Sequence, residues 1–495
     1  MLIFSLWVVF ALRAHNPLAM PAFVDESLHI LRGQIVFDFV DPRASILPAK
    51  LLLYYYLGLF GLQDPSALWV ARVAVALLAP LAAALSFGLT RHMTRSFWAG
   101  LLVVWLYALS PFMLFFERLA LADPFALVFV LAAVWASARL ADHPEPRRAL
   151  WVGLWLGLAL LAKLTTLPVL AAPLLAMLLW RGRIMPRPLF WVAGLVVGML
   201  LLPASYAVYQ ELFPPENKSV VVEQDLFVPE DGGRLAQIEQ NLNTYADSVS
   251  ALTGAPLILF ALALGSLFAA PRAGAYVLGL AGLLGGFIVV ATAFPTTRYL
   301  LVAYPLILVG LGSATHGLAV GLWQRAPGVA PYALLIVLAL GGGLYAGYSA
   351  GFIRGAWDAP ERLTLGAQDE WEYFSNISSG YGLREAAETV VMRKPSGGAT
   401  VAGLVGNCHS LRLYFPVADA LNLYCPYFPF DDHPALLSEA DWERVAPRGG
   451  YVFIEPGNED DLSLLGVPSE RTEVIGAFAR PDNGATVLVL AFEGQ

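Results

Sequence analysis

The sequence predicts a polytopic α-helical membrane protein of about eleven transmembrane helices, followed by a C-terminal α/β soluble domain. Three observations carry this reading. Of 495 residues, 58% are hydrophobic and only 14% charged, against roughly one quarter charged in an average soluble domain. Eleven apolar stretches precede residue 351, each on the scale of the about 20 residues that a bilayer core demands. Beyond 351 the composition turns ordinary, and short β-branched runs alternate with helical stretches.

The spans fall near 1–12, 67–90, 97–115, 124–141, 149–163, 166–180, 189–209, 252–270, 275–293, 299–318 and 331–350. The first has no cleavage-site pattern after it and reads as an uncleaved anchor. Ile46 to Phe60 is too short to cross comfortably and reads as an interfacial or re-entrant helix, its tyrosines at headgroup depth. Orientation follows from the basic loops Arg91/Arg95, Arg147/Arg148, Arg181/Arg183/Arg187, Arg272 and Arg325, which the positive-inside rule assigns to the cytoplasm. The expected protein therefore sits in the cytoplasmic (inner) membrane, with its N-terminus inside. Residues 1–350 form the transmembrane domain, with outer loops 13–66 and 210–251. Residues 351–495 form an extracytoplasmic domain.

Loop 210–251 opens with Pro214-Pro215 and ends in a helical stretch, Arg234 to Val249. In the C-terminal domain the pattern gives helices Leu383–Met392, His409–Tyr414 and Glu439–Val445. Its strands are Thr400–Val405, Ala420–Leu423, Tyr451–Ile454, Thr472–Phe478 and Thr486–Phe492. Gly380, Gly382 and the Gly397-Gly398 pair punctuate it, and no nucleotide-binding glycine pattern is present. Cys408 and Cys425, the two cysteines of the chain, are expected to pair, because an exported domain matures in an oxidising compartment and neighbouring strands would bring their ends together.

A net charge of −8 argues against nucleic acid or anionic lipid as a bulk partner, since those demand a basic surface; the bilayer is the first partner. Ionisable groups beside membrane helices are costly and are normally kept for a site. Here Asp25, Glu26, Glu117, Arg118, Asp123, Lys163 and Arg298 all fall at the outer ends of helices. Asp25 is placed to cap a short surface helix from Glu26 to Gly33, and Arg72 to neutralise an acid of the first loop. Asp123 before Pro124 also fits a helix N-cap, with Arg118 paired to it or to Glu117, and Arg298 fits an interfacial anchor. His29 and His92 lack metal-ligand spacing; no metal site and no cofactor is assigned, though the acids leave room for a divalent cation. Carboxylates beside fixed cations suit chemistry on an anion: a carboxylate takes the proton of an acceptor hydroxyl while Arg and Lys hold a phosphate. At a membrane surface that phosphate belongs to a lipid.

The order of these features resembles the type-C membrane glycosyltransferases of the protein O-mannosyltransferase and aminoarabinose-transferase kind. The stretches concerned are FVDESLHILRGQ, LLLYYYLGLFGLQDPSALWVARVAVALLAP, FFERLALADPFALVFVLAAVWA, GLWLGLALLAKLTTLPVL and PTTRYLLVAYPLILVGLG, spread over roughly residues 1–320. The resemblance implies an inverting transferase that moves a hexosyl or pentosyl group from a polyprenyl-phosphate donor to a glycan, glycolipid or protein acceptor at the outer face. It implies Asp25 as the base with Glu26 beside it, Asp123 as the second-loop acid, and Arg118, Lys163 and Arg298 on the lipid phosphate; Arg72 and His29 are supports. The alternatives are a transporter or flippase of lipid-linked glycans, for which inverted repeats and midplane charges are expected, and a non-catalytic cell-envelope scaffold.

Topology is testable directly. A cysteine replacing Glu230 should react with an impermeant maleimide added from outside, and one replacing Ile184 should not; labelling at 184 alone would invert the orientation.

Overall fold

The structure, a computed structural model, describes residues 1–37, 50–63, 65–212, 233–254, 256–325, 328–393, 399–415, 421–427, 436–457 and 459–494. Residues 46–49, Pro214-Pro215, Gly397-Gly398 and Ala420 lie outside them. The helices are α1 (Leu2–Ala14), α2 (Val24–Ile35), α3 (Leu51–Gly58), α4 (Ala67–Thr94), α5 (Phe97–Leu109), α6 (Pro111–Glu117), α7 (Ala122–Asp142), α8 (Pro146–Ala162), α9 (Leu164–Arg181), α10 (Pro186–Leu212), α11 (Arg234–Thr253), α12 (Ile258–Ala269), α13 (Pro271–Ala291), α14 (Tyr304–Arg325) and α15 (Ala330–Asp358).

The protein is an integral membrane protein, but the count of eleven spans is not reproduced. Among the described residues six helices are long and apolar enough to cross a bilayer, or eight if each of two bent pairs counts as one span. Among the described residues each of the eleven apolar stretches is helical, but three helices fall short in length, Leu2–Ala14 with 13 residues, Pro146–Ala162 with 17 and Pro186–Leu201, and two stretches belong to bent pairs. The stretch expected at 97–115 breaks at Ser110-Pro111 with a 60° bend. Pro111 has no N–H to continue the ladder, and the Ser110 hydroxyl caps the new helix by accepting the Met113 N–H at 3.3 Å. A second pair, α11 and α12, turns through 95° next to Gly254, whose φ of +70° suits a residue without Cβ. The α9 segment begins as a 3₁₀ helix with Pro168 inside it and ends in a π turn.

Buried apolar side chains from α1, α4–α8 and α13–α15 form one continuous core. Arg13 is buried in it and donates to the Ala108 and Tyr107 carbonyls at 2.7 and 3.0 Å and to Glu117 at 2.9 Å. It thus satisfies carbonyls that α5 leaves free where it ends. The far end of α15 returns to α1, where the Trp357 indole donates to the Leu12 carbonyl at 3.1 Å.

Beyond α15 the chain builds a five-stranded mixed sheet from β1 (Ala399–Leu404), β2 (Leu421–Tyr424), β3 (Gly450–Ile454), β4 (Thr472–Phe478) and β5 (Val487–Phe492), in the order β2-β1-β3-β5-β4. β1 runs parallel to β2 and β3; β5 is antiparallel to β3 and β4. Helix α16 (Leu383–Arg393) supplies Leu383, Ala386, Ala387 and Val390 to the core on one face. On the other, α17 (Glu439–Val445) places Trp442 against Leu404, Val452 and Ile454. The expected helix at His409–Tyr414 is a 3₁₀ segment, Cys408–Tyr414.

The sheet domain is tied to the first loop by polar contacts. Asn407 donates to the Ala22 carbonyl at 2.8 Å, the Ala22 N–H donates to the Tyr414 hydroxyl at 2.7 Å, and the Val24 N–H donates to the Ser378 carbonyl at 3.0 Å. The domain therefore fixes where α2 begins.

Cys408 and Cys425 are joined in a disulfide, with Cα atoms 5.8 Å apart, at the ends of the paired strands β1 and β2. Alkylation of unreduced protein should leave both cysteines unmodified, and reduction should cost about 3 kcal/mol by loop-closure entropy. Two adducts on unreduced protein would refute the bridge.

Candidate active site

Four residues expected at the site meet in one place. Asp25 lies in the first turn of α2, Asp123 in the first turn of α7, Lys163 at the C-terminal end of α8, and Arg298 in the 3₁₀ turn Thr297–Val302 that precedes α14. Arg298 is the hub. Its Nη2 donates to Asp25 at 2.8 Å, its Nε stands 3.8 Å from Asp123, and its Nη1 stands 3.2 Å from Glu372 and donates to the Tyr373 hydroxyl at 3.1 Å. Lys163 Nζ donates to Asp123 at 2.6 Å and sits 4.1 Å from the centre of the Tyr299 ring. Lys50 Nζ lies 3.9 Å from Asp25.

Lys50, Glu372, Tyr373 and Tyr299 were missed by the sequence reading. Lys50 carried a signal, a lone cation just before an apolar helix. Glu372 and Tyr373 belong to the short π turn Trp371–Ser375, which composition assigns to the soluble domain; nothing local reveals that it folds back under α2.

Four expectations are corrected. Asp25 does not cap α2: Phe23 is the N-cap residue, and Glu26 accepts the Phe23 N–H at 3.0 Å. Glu26 is not a free partner of Asp25. It is fully buried, held by two Arg72 hydrogen bonds of 2.6–2.7 Å, and accepts the Ala120 N–H at 2.7 Å. All five N–H groups of Arg72 are used, since the other three bonds go to the Pro17, Met20 and Pro21 carbonyls. Arg118 points elsewhere and binds the His15, Asn16 and Ala356 carbonyls at 2.8–3.1 Å. Neither does it pair with Glu117, which is buried against Arg13 and Tyr107. Asp123 likewise sits inside α7 instead of capping it, with Leu121 as the N-cap residue.

The electrostatics are those of a buried mixed cluster. Burial alone would raise the Asp25 pKa, but the cations Lys50, Arg298 and Lys163 outweigh it and hold the carboxyl well below its usual range. Burial pulls His29, whose Nδ1 lies 2.8 Å from the Ala120 carbonyl, to about 3, so the imidazole is neutral. Burial raises Glu372 to about 7, with Arg298 opposing. When Glu372 holds a proton, Asp25 and Asp123 face Lys50, Lys163 and Arg298, and one positive charge is left over. Such a cluster suits an incoming anion. Among the described residues no group of three or more His, Cys, Asp or Glu is placed to hold a metal ion.

Residues 51–206 match the family model described as dolichyl-phosphate-mannose-protein mannosyltransferase. The fold is that of ArnT from Cupriavidus metallidurans. The undecaprenyl-phosphate-bound crystal structure aligns over 99% of this chain and 96% of that one, at 14% identity and a TM-score of 0.61. The apo form aligns over 99% and 97%, at 15% identity and a TM-score of 0.60. No curated protein sequence matches the chain. The resemblance to type-C membrane glycosyltransferases drawn from the sequence is thus borne out.

Beside the cluster, Asp369 is fully buried near Glu372, and burial raises its pKa to about 7. The folded protein therefore binds a proton at this carboxyl that the unfolded chain, with an ordinary value of 3.8, has already released. Stability should fall as pH rises from about 4 to 7, by a few kcal/mol. Asp369→Asn should flatten that slope in thermal melts and raise the melting temperature above pH 7; an unchanged slope would refute the assignment.

Proposed function

We propose that this protein is an inverting glycosyltransferase that moves a sugar from a polyprenyl-phosphate donor to an acceptor hydroxyl. The observation that carries the reading is the pairing of Asp25, about one quarter exposed, with Arg298, which is buried among three carboxylates. The fold, and the family match over the segment that contains Asp123 and Lys163, support it.

In this reading the lipid phosphate docks against Arg298, Lys163 and Lys50. Its oxygens take up the hydrogen bonds and charge that Arg298 and Lys50 now direct at Asp25. A carboxylate held far below its usual pKa is a poor base, so donor binding converts Asp25 from an ion-pair partner into a proton acceptor. The acceptor oxygen attacks the anomeric carbon as its proton passes to Asp25. The bond from that carbon to the phosphate oxygen breaks, and the electron pair leaves on the lipid phosphate, stabilised by Arg298 and Lys163. A single displacement inverts the anomeric configuration. Glu26, with both oxygens occupied, fixes the start of α2 and takes no part in proton transfer.

The basic loops support a reaction at the outer face. Arg95, Arg147 and Arg181 lie at the ends of α4, α8 and α9, one helix length away from Asp123 and Lys163. The positive-inside rule favours the cytoplasm for these arginines, and in this reading the reaction and the residues after 358 share the opposite face.

Asp25→Asn should lower turnover about 10²–10⁴-fold while leaving binding of polyprenyl phosphate nearly unchanged, measured by transfer from a synthetic donor and by lipid retention on the purified protein. Arg298→Lys should mainly weaken lipid-phosphate binding. Near-normal turnover in Asp25→Asn would remove Asp25 from the role of base.

A further inference from the structure

At the end of the bundle opposite this site lies a second charged place. Helix α7 runs from Ala122 to Asp142, about 30 Å at 1.5 Å per residue, and links Asp123 to a cavity of about 460 Å³ lined by His92, Arg95, Arg139, Asp142, Arg148 and Arg181. Four arginines converge here from the ends of α4, α7, α8 and α9. Arg95 holds a left-handed backbone, φ +60°, a conformation unfavourable for a residue with a Cβ.

The acids nearby do not balance them. Asp142 is engaged by His92 at 2.9 Å and by the Trp180 indole at 3.0 Å, and Glu145 lies 3.4 Å from Arg148. Among the described residues no carboxylate pairs with Arg95, Arg139 or Arg181. A topogenic arginine needs only to face the cytoplasm; it has no need of a shared concavity.

Arg139 and Arg148 also border an adjoining groove of about 520 Å³, whose walls are largely apolar: Leu85, Ala132, Trp135, Trp151 and Trp155. Arg139 lies over the Trp135 ring at 5.5 Å, and the Trp151 and Trp155 rings stack at 6.0 Å. Tryptophan at a helix end marks headgroup depth. A cationic bowl thus opens into an aromatic, membrane-facing groove.

We propose that this bowl and groove form a binding site for an anionic phospholipid of the leaflet opposite the reaction site, with the phosphate among Arg95, Arg139, Arg148 and Arg181 and an acyl chain along Trp135, Trp151 and Trp155. The pairing of charge with apolar surface favours a lipid over a free anion. Basic pockets between membrane helices bind acidic headgroups in this way, and occupancy clamps the ends of four helices, two of which, α7 and α8, carry Asp123 and Lys163 at their other ends.

Native mass spectrometry of the full chain in detergent, titrated with dioleoyl phosphatidylglycerol or dioleoyl phosphatidylcholine, tests this. Phosphatidylglycerol should be retained preferentially. Arg139→Gln and Arg181→Gln should weaken it about fivefold for each charge removed. Trp155→Ala should weaken it too, whereas Arg272→Gln with Arg325→Gln, exposed arginines of other loops, should not. If Arg139→Gln fails to fold, Arg181→Gln alone, at an exposed helix end, should still show its fivefold loss. Absence of headgroup preference, equal loss in Arg272→Gln/Arg325→Gln, or complete displacement of the lipid by millimolar inorganic phosphate would overturn the proposal.

Discussion

The buried guanidinium of Arg298 is the constraint on which the candidate site depends. A cation withdrawn from water is tolerated only if carboxylates and hydrogen-bond acceptors compensate it. Here the compensation comes from Asp25, Asp123 and Glu372, which lie on three separated parts of the chain. Asp123 and Glu372 in turn are buried at a cost that the cation offsets. The arrangement forces the first loop, the start of α7 and the turn after α15 to converge on the 3₁₀ segment before α14. It also leaves Arg298 oversupplied with partners, so a phosphate that displaces Asp25 does not strip the cation bare.

A second buried pair holds the frame. Glu26 and Arg72 saturate one another and a set of backbone groups from Pro17 to Ala120. Adjacent residues thus have opposite fates: Glu26 faces inward and is spent on structure, while Asp25 faces the cluster and keeps some exposure. One residue along a helix is a rotation of about 100°, enough to separate the two. The sheet domain completes the frame by fixing Ala22 and Val24 through Tyr414, Asn407 and Ser378. It is therefore a structural part of the site's edge as well as a surface.

The helices that carry the site are charged at both ends for different reasons. At one end charges are buried, paired and few. At the other, arginines outnumber acids and line an open cavity beside tryptophans. Helices α7 and α8 run unbroken between the two ends.

The sequence by itself determined the apolar segments, the basic loops, the sheet domain's elements to within a residue or two, and the identities of Asp25, Asp123, Lys163 and Arg298. Those features are written in local composition, or in the cost of leaving a charge beside a membrane helix. Which charges meet is decided elsewhere. Glu26 and Arg118 look as reactive in sequence as Asp25 and Arg298, yet one is consumed by Arg72 and the other by backbone carbonyls. Glu372, Tyr373 and Lys50 join the cluster through contacts between residues far apart in the chain. The break at Pro111 similarly turns an expected span into a bent pair. Hydropathy measures how much of a segment prefers lipid; only tertiary packing decides whether that segment runs straight, and which buried cation finds which acid.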